Sequence, residues 1–239
     1  MLPVARVLPE MERRPVSGSR NERLNEKPAP KAVVGRVSLY LRQLEALQLE
    51  GLNKVSSRQL GEPFGIKNAQ VRKDLAFFGQ FGHPGVGYNI DDLISVLRRI
   101  LGVDKDWPLA LVGLGNLGRA LLRYRGFRSR RFRIVALFDN DPRKIGQFYE
   151  GMCVEPIDAL PQSLSRHKAI LALLCVPADS AQKVADQMVA GGIQGILNFA
   201  PVPLAVPQHV NVVAVDLSIQ LENLAYKVQK TQDEISRAS

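Results

Sequence analysis

The string Gly113-Leu114-Gly115-Asn116-Leu117-Gly118 sits between an apolar run at 109–112 and a helical pattern that reads as 116–124. GxGxxG alone says little, but between a strand and a helix it demands one backbone path. The first glycine permits the tight turn. The second lets the backbone approach a pyrophosphate lying on the helix N-terminus, and the third lets helix and strand pack closely. The next apolar run, RIVALFD, ends at Asp139, 26 residues beyond Gly113. An acid there can accept hydrogen bonds from ribose hydroxyls, and its charge repels a 2′-phosphate, which favours NAD(H) over NADP(H). Arg143 lies near enough to keep the second open. The runs AILALLCVP (169–177), GILNFAP (195–201) and VNVVAVD (210–216) follow, separated by helix-like or loop segments. That alternation predicts an α/β fold, a Rossmann-type parallel sheet covered on both faces, over 105–216.

The preceding segment has a different rhythm. Val33, Val37, Leu41, Leu44 and Leu47 recur at helical spacing over 32–49, and Gly51 stops the helix. Ser56 or Ser57 caps a short helix through Leu60, which Pro63 should cut or distort. A third helix is expected over 65–79, with Val71, Leu75 and Phe78 on one face and Gly79 at its end. Residues 82–88 are glycine-rich and place Val86 and Tyr88 at period two, the pattern of a small hairpin or wing. A helix over 91–101 closes the unit, and Trp107-Pro108 reads as the boundary. Three helices and a glycine hairpin in about 75 residues form the pattern of a winged helix-turn-helix, assigned to 31–104. If Val71, Leu75 and Phe78 face the core, Ala69 and Lys73 point away and Gln70 and Arg72 flank them. Small residues permit close approach to DNA, and the long polar ones reach base edges or phosphates. Asn68 stands where an N-cap is wanted, so its helix end could meet a phosphate. A solvated cationic face is the alternative.

A chain of 239 residues, 46% hydrophobic, suits two modest domains. No apolar run reaches the roughly 18–20 residues a membrane span needs, and Met1 to Pro9 lacks a signal-peptide pattern. Two cysteines without CxxC spacing, Cys153 and Cys175, predict no disulfide framework or metal site; they read as small core residues in a reducing cytoplasm. The net charge of +9 points toward an anionic partner. Residues 1–30 hold four prolines before Pro30 and read as a flexible leader. The three histidines, His83, His167 and His209, do not fall where a proton donor would face a nicotinamide, and no HxxE or SxxxYxxxK occurs. A bound dinucleotide is therefore expected to be sensed rather than used. Two rivals stay open: an NAD-dependent oxidoreductase with a helical appendage, and a regulator holding another nucleotide, such as a coenzyme A-type ligand. The terminal stripe of Leu217, Leu221, Leu224, Ala225 and Val228 requires a cover, either a partner subunit or its own sheet domain.

Six strings resemble the Rex family of redox-sensing repressors: YLRQL (40–44), AQVRKDLAFFG (69–79), GVGY (85–88), VGLGNLG (112–118), FDNDPRKIG (138–146) and VDLSIQLENLAY (215–226). The resemblance covers about 31–230. It implies a cytoplasmic homodimer in which the C-terminal helix of each subunit, here 217–239, swaps onto its partner. It implies release of operator DNA, an inverted repeat, when NADH closes the dimer, with NAD⁺ as a competing ligand that does not promote release. By motif, a switch relay falls on Arg42, Tyr124 and Asp216, and Leu217 takes the place of an apolar residue near the partner's nicotinamide. Tyr124, Asp216 and Leu217 thus join the glycine loop and Asp139 as expected cofactor contacts. Asn68, Ala69, Gln70, Arg72, Lys73 and His83 are the expected DNA contacts. The sequence departs from the family at Pro84, where Rex wings carry Lys or Arg for the minor groove.

Overall fold

A computed structural model describes residues 29–82 and 86–238. The chain divides into two compact units between Gly102 and Val103.

In the first unit, α1 (Lys31–Leu49) buries Val37, Tyr40, Leu41, Leu44 and Leu47 along one stripe. Gly51, at φ +81°, turns the chain out of it. After β1 (Lys54–Val55), Ser56 caps α2 (Ser57–Gly61): its hydroxyl accepts from the Gln59 N–H, and the Gln59 side chain accepts from the Ser56 N–H. Reciprocal caps of this kind stabilise a short helix by about 1 kcal/mol. Pro63 does not end the structure there. It occupies the first turn of a 3₁₀ helix, Glu62–Phe64, where its missing N–H has no helical partner to lose.

α3 (Asn68–Ala76) is shorter at both ends than its periodicity suggested, and Gly79 lies three residues beyond it. β2 (Tyr88–Asn89) pairs antiparallel with β1, Val55 against Tyr88. The wing strand therefore closes on a segment upstream of α2, not on a local hairpin within 82–88. A two-residue strand carries too little alternation to be read from sequence. α4 (Ile90–Ile100) starts at Asn89, whose side chain accepts from the Asp92 N–H, and it packs on α1. Asp91 and Asp92 stand in its first turn and Arg98 and Arg99 in its last, complementing the helix dipole.

The second unit opens with β3 (Trp107–Val112), so Trp107-Pro108 is the start of a strand and not a boundary. There follow α5 (Asn116–Leu122), α6 (Arg125–Ser129), β4 (Phe132–Asp139), β5 (Phe148–Tyr149), β6 (Met152–Pro156), α7 (Leu160–His167), β7 (Leu171–Leu174), α8 (Ala178–Ala190), β8 (Gly195–Asn198), β9 (Asn211–Ala214) and α9 (Leu217–Ala238). The sheet order is β5-β6-β4-β3-β7-β8-β9, parallel except for β5. The order in which successive strands are added reverses between β3 and β7, which makes that point the expected ligand crevice. The Met152–Pro156 strand was not expected; it is short and only one of its residues, Val154, is buried.

Successive residues of β3 and β4 serve opposite faces. Ala110, Val112, Ala136 and Phe138 pack with Leu160 and Leu164 of α7 and Val184 and Met188 of α8. Leu109, Leu111 and Leu137 pack with Leu121, Leu122 and Phe127 on the other side. Two-sided burial is why these strands read as unbroken apolar runs. By contrast, α9 is exposed at every position from 217 to 236. No described helix is long and apolar enough to cross a membrane.

Candidate functional site

A cleft of about 430 Å³ opens at the β3/β7 switch point, within the roughly 300–1,000 Å³ of small-ligand sites. Gly113, Gly115 and Leu117 line one wall, and Asp139, Asn140 and Lys144 lie at the end of β4. Val176, Pro177, Ser180 and Phe199 close the other side. The three motif glycines have separable roles. Gly113 sits at φ +95°, and a Cβ there would strike the Cys175 carbonyl oxygen. A Cβ on Gly118 would strike the Gly113 carbonyl oxygen, so this glycine sets how closely α5 approaches the turn. A Cβ on Gly115 would meet nothing within 4 Å. Folding does not require glycine at 115, whereas a ligand backed against the loop does. Gly115 is also the N-cap of α5 and brings no side-chain cap, leaving the first-turn N–H groups for water or an anion.

Leu114 contributes differently from its neighbours: its side chain is fully buried and its N–H donates to Asp139 Oδ2 at 2.7 Å. It shapes the loop and does not line the cleft. Asn116 accepts from the Arg119 guanidinium at 3.2 Å through Oδ1. Asp139, only 4% exposed, also accepts from Lys144 Nζ at 2.9 Å and from the Asp141 N–H at 2.8 Å. Burial pushes its carboxyl up, but the hydrogen bonds from Asp141, Lys144 and Leu114 outweigh that and hold it below the ordinary carboxylate value. It is an anion with three of its roughly four acceptor positions taken, which leaves one for a ribose hydroxyl.

Arg143 is bound to Asp141 through both Nε and Nη2 at 3.0 Å. Those bonds hold the Asp141 carboxyl down at about 2. The cation that could have served a 2′-phosphate is thus already countered. Burial pushes the Cys175 thiol up to about 12, so it is no nucleophile at neutral pH. Cys153, read as a core residue, is exposed.

The expected inward stripe is buried: Val71 and Leu75 on α3, and Phe78 two residues past its end. Asn68, Ala69, Arg72 and Lys73 are exposed and Gln70 is half-buried. Three expectations need correction. Asn68 is the first helical residue and not the cap; Lys67 holds the cap position, without a side-chain hydrogen bond. Gln70 Nε2 donates to Asp74 Oδ1 at 2.7 Å, so its amide is anchored inward. Arg72 donates to the Ser57 hydroxyl at 3.2 Å and ties α3 to α2. His83 and Pro84 lie outside the described residues.

Sequence reasoning missed Asp74 altogether. Its carboxylate is 1% exposed and accepts from Arg36 Nε at 2.6 Å, Arg36 Nη2 at 2.7 Å and Tyr40 Oη at 2.8 Å, besides Gln70. Burial pushes this carboxyl up; the bonds from Arg36, Gln70 and Tyr40 together bring it below its ordinary value. A buried carboxylate satisfied by four donors clamps α3 onto α1. The available signal was weak: an acid one residue before a core leucine, and an Arg and a Tyr at i and i+4 on α1.

Arg42 is exposed on α1. Tyr124 is not part of the helix after the glycine loop. It is the N-cap of α6, 57% exposed, with its ring edge-on to Phe127. Asp216 precedes α9 and accepts from the Ser218 N–H at 2.8 Å, and Leu217 is 63% exposed. Tyr124 and Asp216 share no hydrogen bond within the described unit.

Comparison with known proteins bears on both units. Residues 29–76 match a family model described as "Putative DNA-binding protein N-terminus", and residues 104–202 match one described as "CoA binding domain". A protein of Pelotomaculum thermopropionicum named redox-sensing transcriptional repressor Rex is 50% identical over 202 residues, covering 84% of this chain and 95% of that one. The Rex of Streptomyces griseus subsp. griseus is 44% identical over 209 residues, covering 87% and 83%. Among solved structures, RSP in complex with β-NAD⁺ and operator DNA is 36% identical at a TM-score of 0.81, covering 87% of this chain and 95% of its own. RSP in complex with β-NADH is 33% identical at 0.80, covering 90% and 100%. A chain with this pocket, this helix-turn-helix and relatives this similar along nearly their whole length belongs to the Rex family of redox-sensing transcriptional repressors.

Proposed function

We propose that this chain is a repressor that binds operator DNA as a homodimer and is released by NADH, so that occupancy follows the NADH/NAD⁺ ratio. The observation that carries the reading is Gly115: an open glycine in a cleft walled by the anionic Asp139, in the same chain as an exposed, cationic α3 face. RSP, a solved relative, holds NAD⁺ together with operator DNA, and NADH in a separate complex. Effector and DNA prefer different dimer geometries in this account, and each weakens the other's binding by the same factor.

The 217–239 segment serves as the dimerisation element. Leu217, Leu221, Leu224, Val228 and Ile235 are each about half exposed or more and fall on the four-three spacing of a helix seam, interrupted by Thr231. Leu217, Leu221, Leu224 and Val228 stay exposed among the described residues, which favours a partner subunit as their cover over the helix's own sheet. Leu217 would present an apolar wall to the partner's nicotinamide ring, which penalises the cationic oxidised form. The capping of α9 by Asp216 counters part of that carboxylate's charge, and Arg42 and Tyr124 would engage the rest across the dimer. A DNA-bound regulator of this kind works in the cytoplasm. The test is a mobility-shift titration on an inverted-repeat duplex. NADH should release the protein, and NAD⁺ should displace NADH without releasing it; an NADH-insensitive complex would sink the reading.

A second reading has one observation in its favour, the CoA binding domain match over 104–202. Asp139 counts against it, since a coenzyme A ribose carries a phosphate that this carboxylate would repel. A nucleotide panel in the same assay separates the two.

A further inference from the structure

Residues 119–133 contain seven arginines and no lysine, aspartate or glutamate. The remainder of the second unit carries nine Lys/Arg against thirteen Asp/Glu. The positive charge is therefore local, and its surroundings are net negative. Arg123 pairs with Glu150 at 3.0 Å and Arg131 with Asp106 at 3.4 Å. Arg125, Arg128 and Arg133 are exposed, and no described side chain pairs with them. The fold holds them there. Phe127 packs into the sheet core, which turns Arg125 and Arg128 outward on α6. Arg133 stands opposite Pro108, near the start of β4. Like charges at i, i+3 on a helix are destabilising by a few tenths of a kcal/mol, and local structure offers nothing in return.

The nucleotide cleft does not account for this patch. It lies at the other end of β4 from Arg133: Arg133 and Asp139 are six residues apart along that strand, about 20 Å. The exclusive use of arginine points to phosphate, whose oxygens the guanidinium fork engages in pairs. Such cations close together in the chain fit a polyanion. Resting on the DNA-binding reading above, duplex DNA is the polyanion this chain is already held against.

We propose that residues 119–133 form a second DNA surface, in which Arg125, Arg128 and Arg133 bind backbone phosphates of a duplex without reading its sequence. Such contacts raise affinity for any duplex and steepen its salt dependence by about 0.9 in log–log slope per phosphate.

The experiment compares the full chain with the variant R125Q/R128Q/R133Q and with R125K/R128K/R133K on a random-sequence 60-base-pair duplex across a salt series. The glutamine variant should lose about 2–3 units of slope, with NADH affinity and melting temperature unchanged. The lysine variant should keep most of it. An unchanged slope in the glutamine variant overturns the proposal, and it is the result expected if the patch serves an acidic protein or RNA instead. A wild-type chain that binds no duplex overturns both this proposal and the reading it rests on. A wild-type chain that binds, with a variant of equal slope, overturns this one alone.

Discussion

Gly115 and Gly118 stand three residues apart in one motif, yet substitution should affect them in opposite ways. A Cβ at 115 meets nothing within 4 Å in the protein alone, and a side chain there fills the space where the pyrophosphate belongs. Gly115→Val is expected to fold, bind operator with wild-type affinity, and resist release at any NADH concentration, as read by mobility shift and by direct NADH titration. Gly118→Ala instead forces α5 away from the Gly113 carbonyl and should lower the melting temperature. Asp74 offers a second residue-level test. Its folded carboxyl sits below its ordinary value, so its stabilising contribution is complete above the ordinary carboxylate range and is lost as pH falls through the lowered folded value. Asp74→Asn strands Arg36, which keeps 27% of its side chain exposed. The expected cost is about 2–4 kcal/mol, under the full value for a broken buried pair. Melting curves against pH should show the wild type losing an acid-sensitive increment that the variant lacks.

At the scale of the element, α3 is a helix with two commitments. Its inner face is fixed by Val71, Leu75 and the Asp74 clamp, and its flanks are fixed by Gln70 and Arg72. That leaves Asn68, Ala69, Lys73 and Ala76 as the exposed positions of α3 whose side chains make no hydrogen bond to the described residues. Lys73→Ala should cost roughly 1–3 kcal/mol of operator binding if the ammonium reads a base edge, with NADH affinity intact in fluorescence titration. Equal operator affinity in wild type and variant would remove Lys73 from the interface. The clamp also gives α3 a dependence on α1 that helix propensity does not supply. Nine residues are too few for a helix to persist alone.

For the whole molecule, the dimerisation role proposed for the exposed seam on α9 would tie assembly to sensing. Truncation after Asp216 should convert the dimer to a monomer by light scattering and abolish NADH-driven release together, because one surface is removed from both functions. A truncated chain that remains a folded dimer and still releases DNA with NADH would exclude the swapped-helix account while leaving the pocket and α3 in place. The two compact units meet the same requirement by different means. The first relies on a polar clamp and an interleaved stripe from α1 and α4; the second relies on a sheet buried on both faces.

Much of this was legible from residues alone, where the information is local. Period-3.6 patterning located α1, and unbroken apolar runs located the strands buried on both faces, because burial writes itself into consecutive side chains. The glycine loop and Asp139 were legible because a tight turn and a close approach each demand a particular residue type at a fixed spacing. Tertiary structure decided whatever depends on partners far apart in sequence. Asp74 carried little signal of its own in the sequence, and only the fold brought Arg36 and Tyr40, 38 and 34 residues away, onto its carboxylate. Strand β2 found its partner across α2 and α3, and Arg143, 30 residues past the first motif glycine, turned out to be spent on Asp141. A hydrogen bond needs its two groups within about 3 Å, whatever their separation along the chain, and no pattern in one segment can report what another will bring to it.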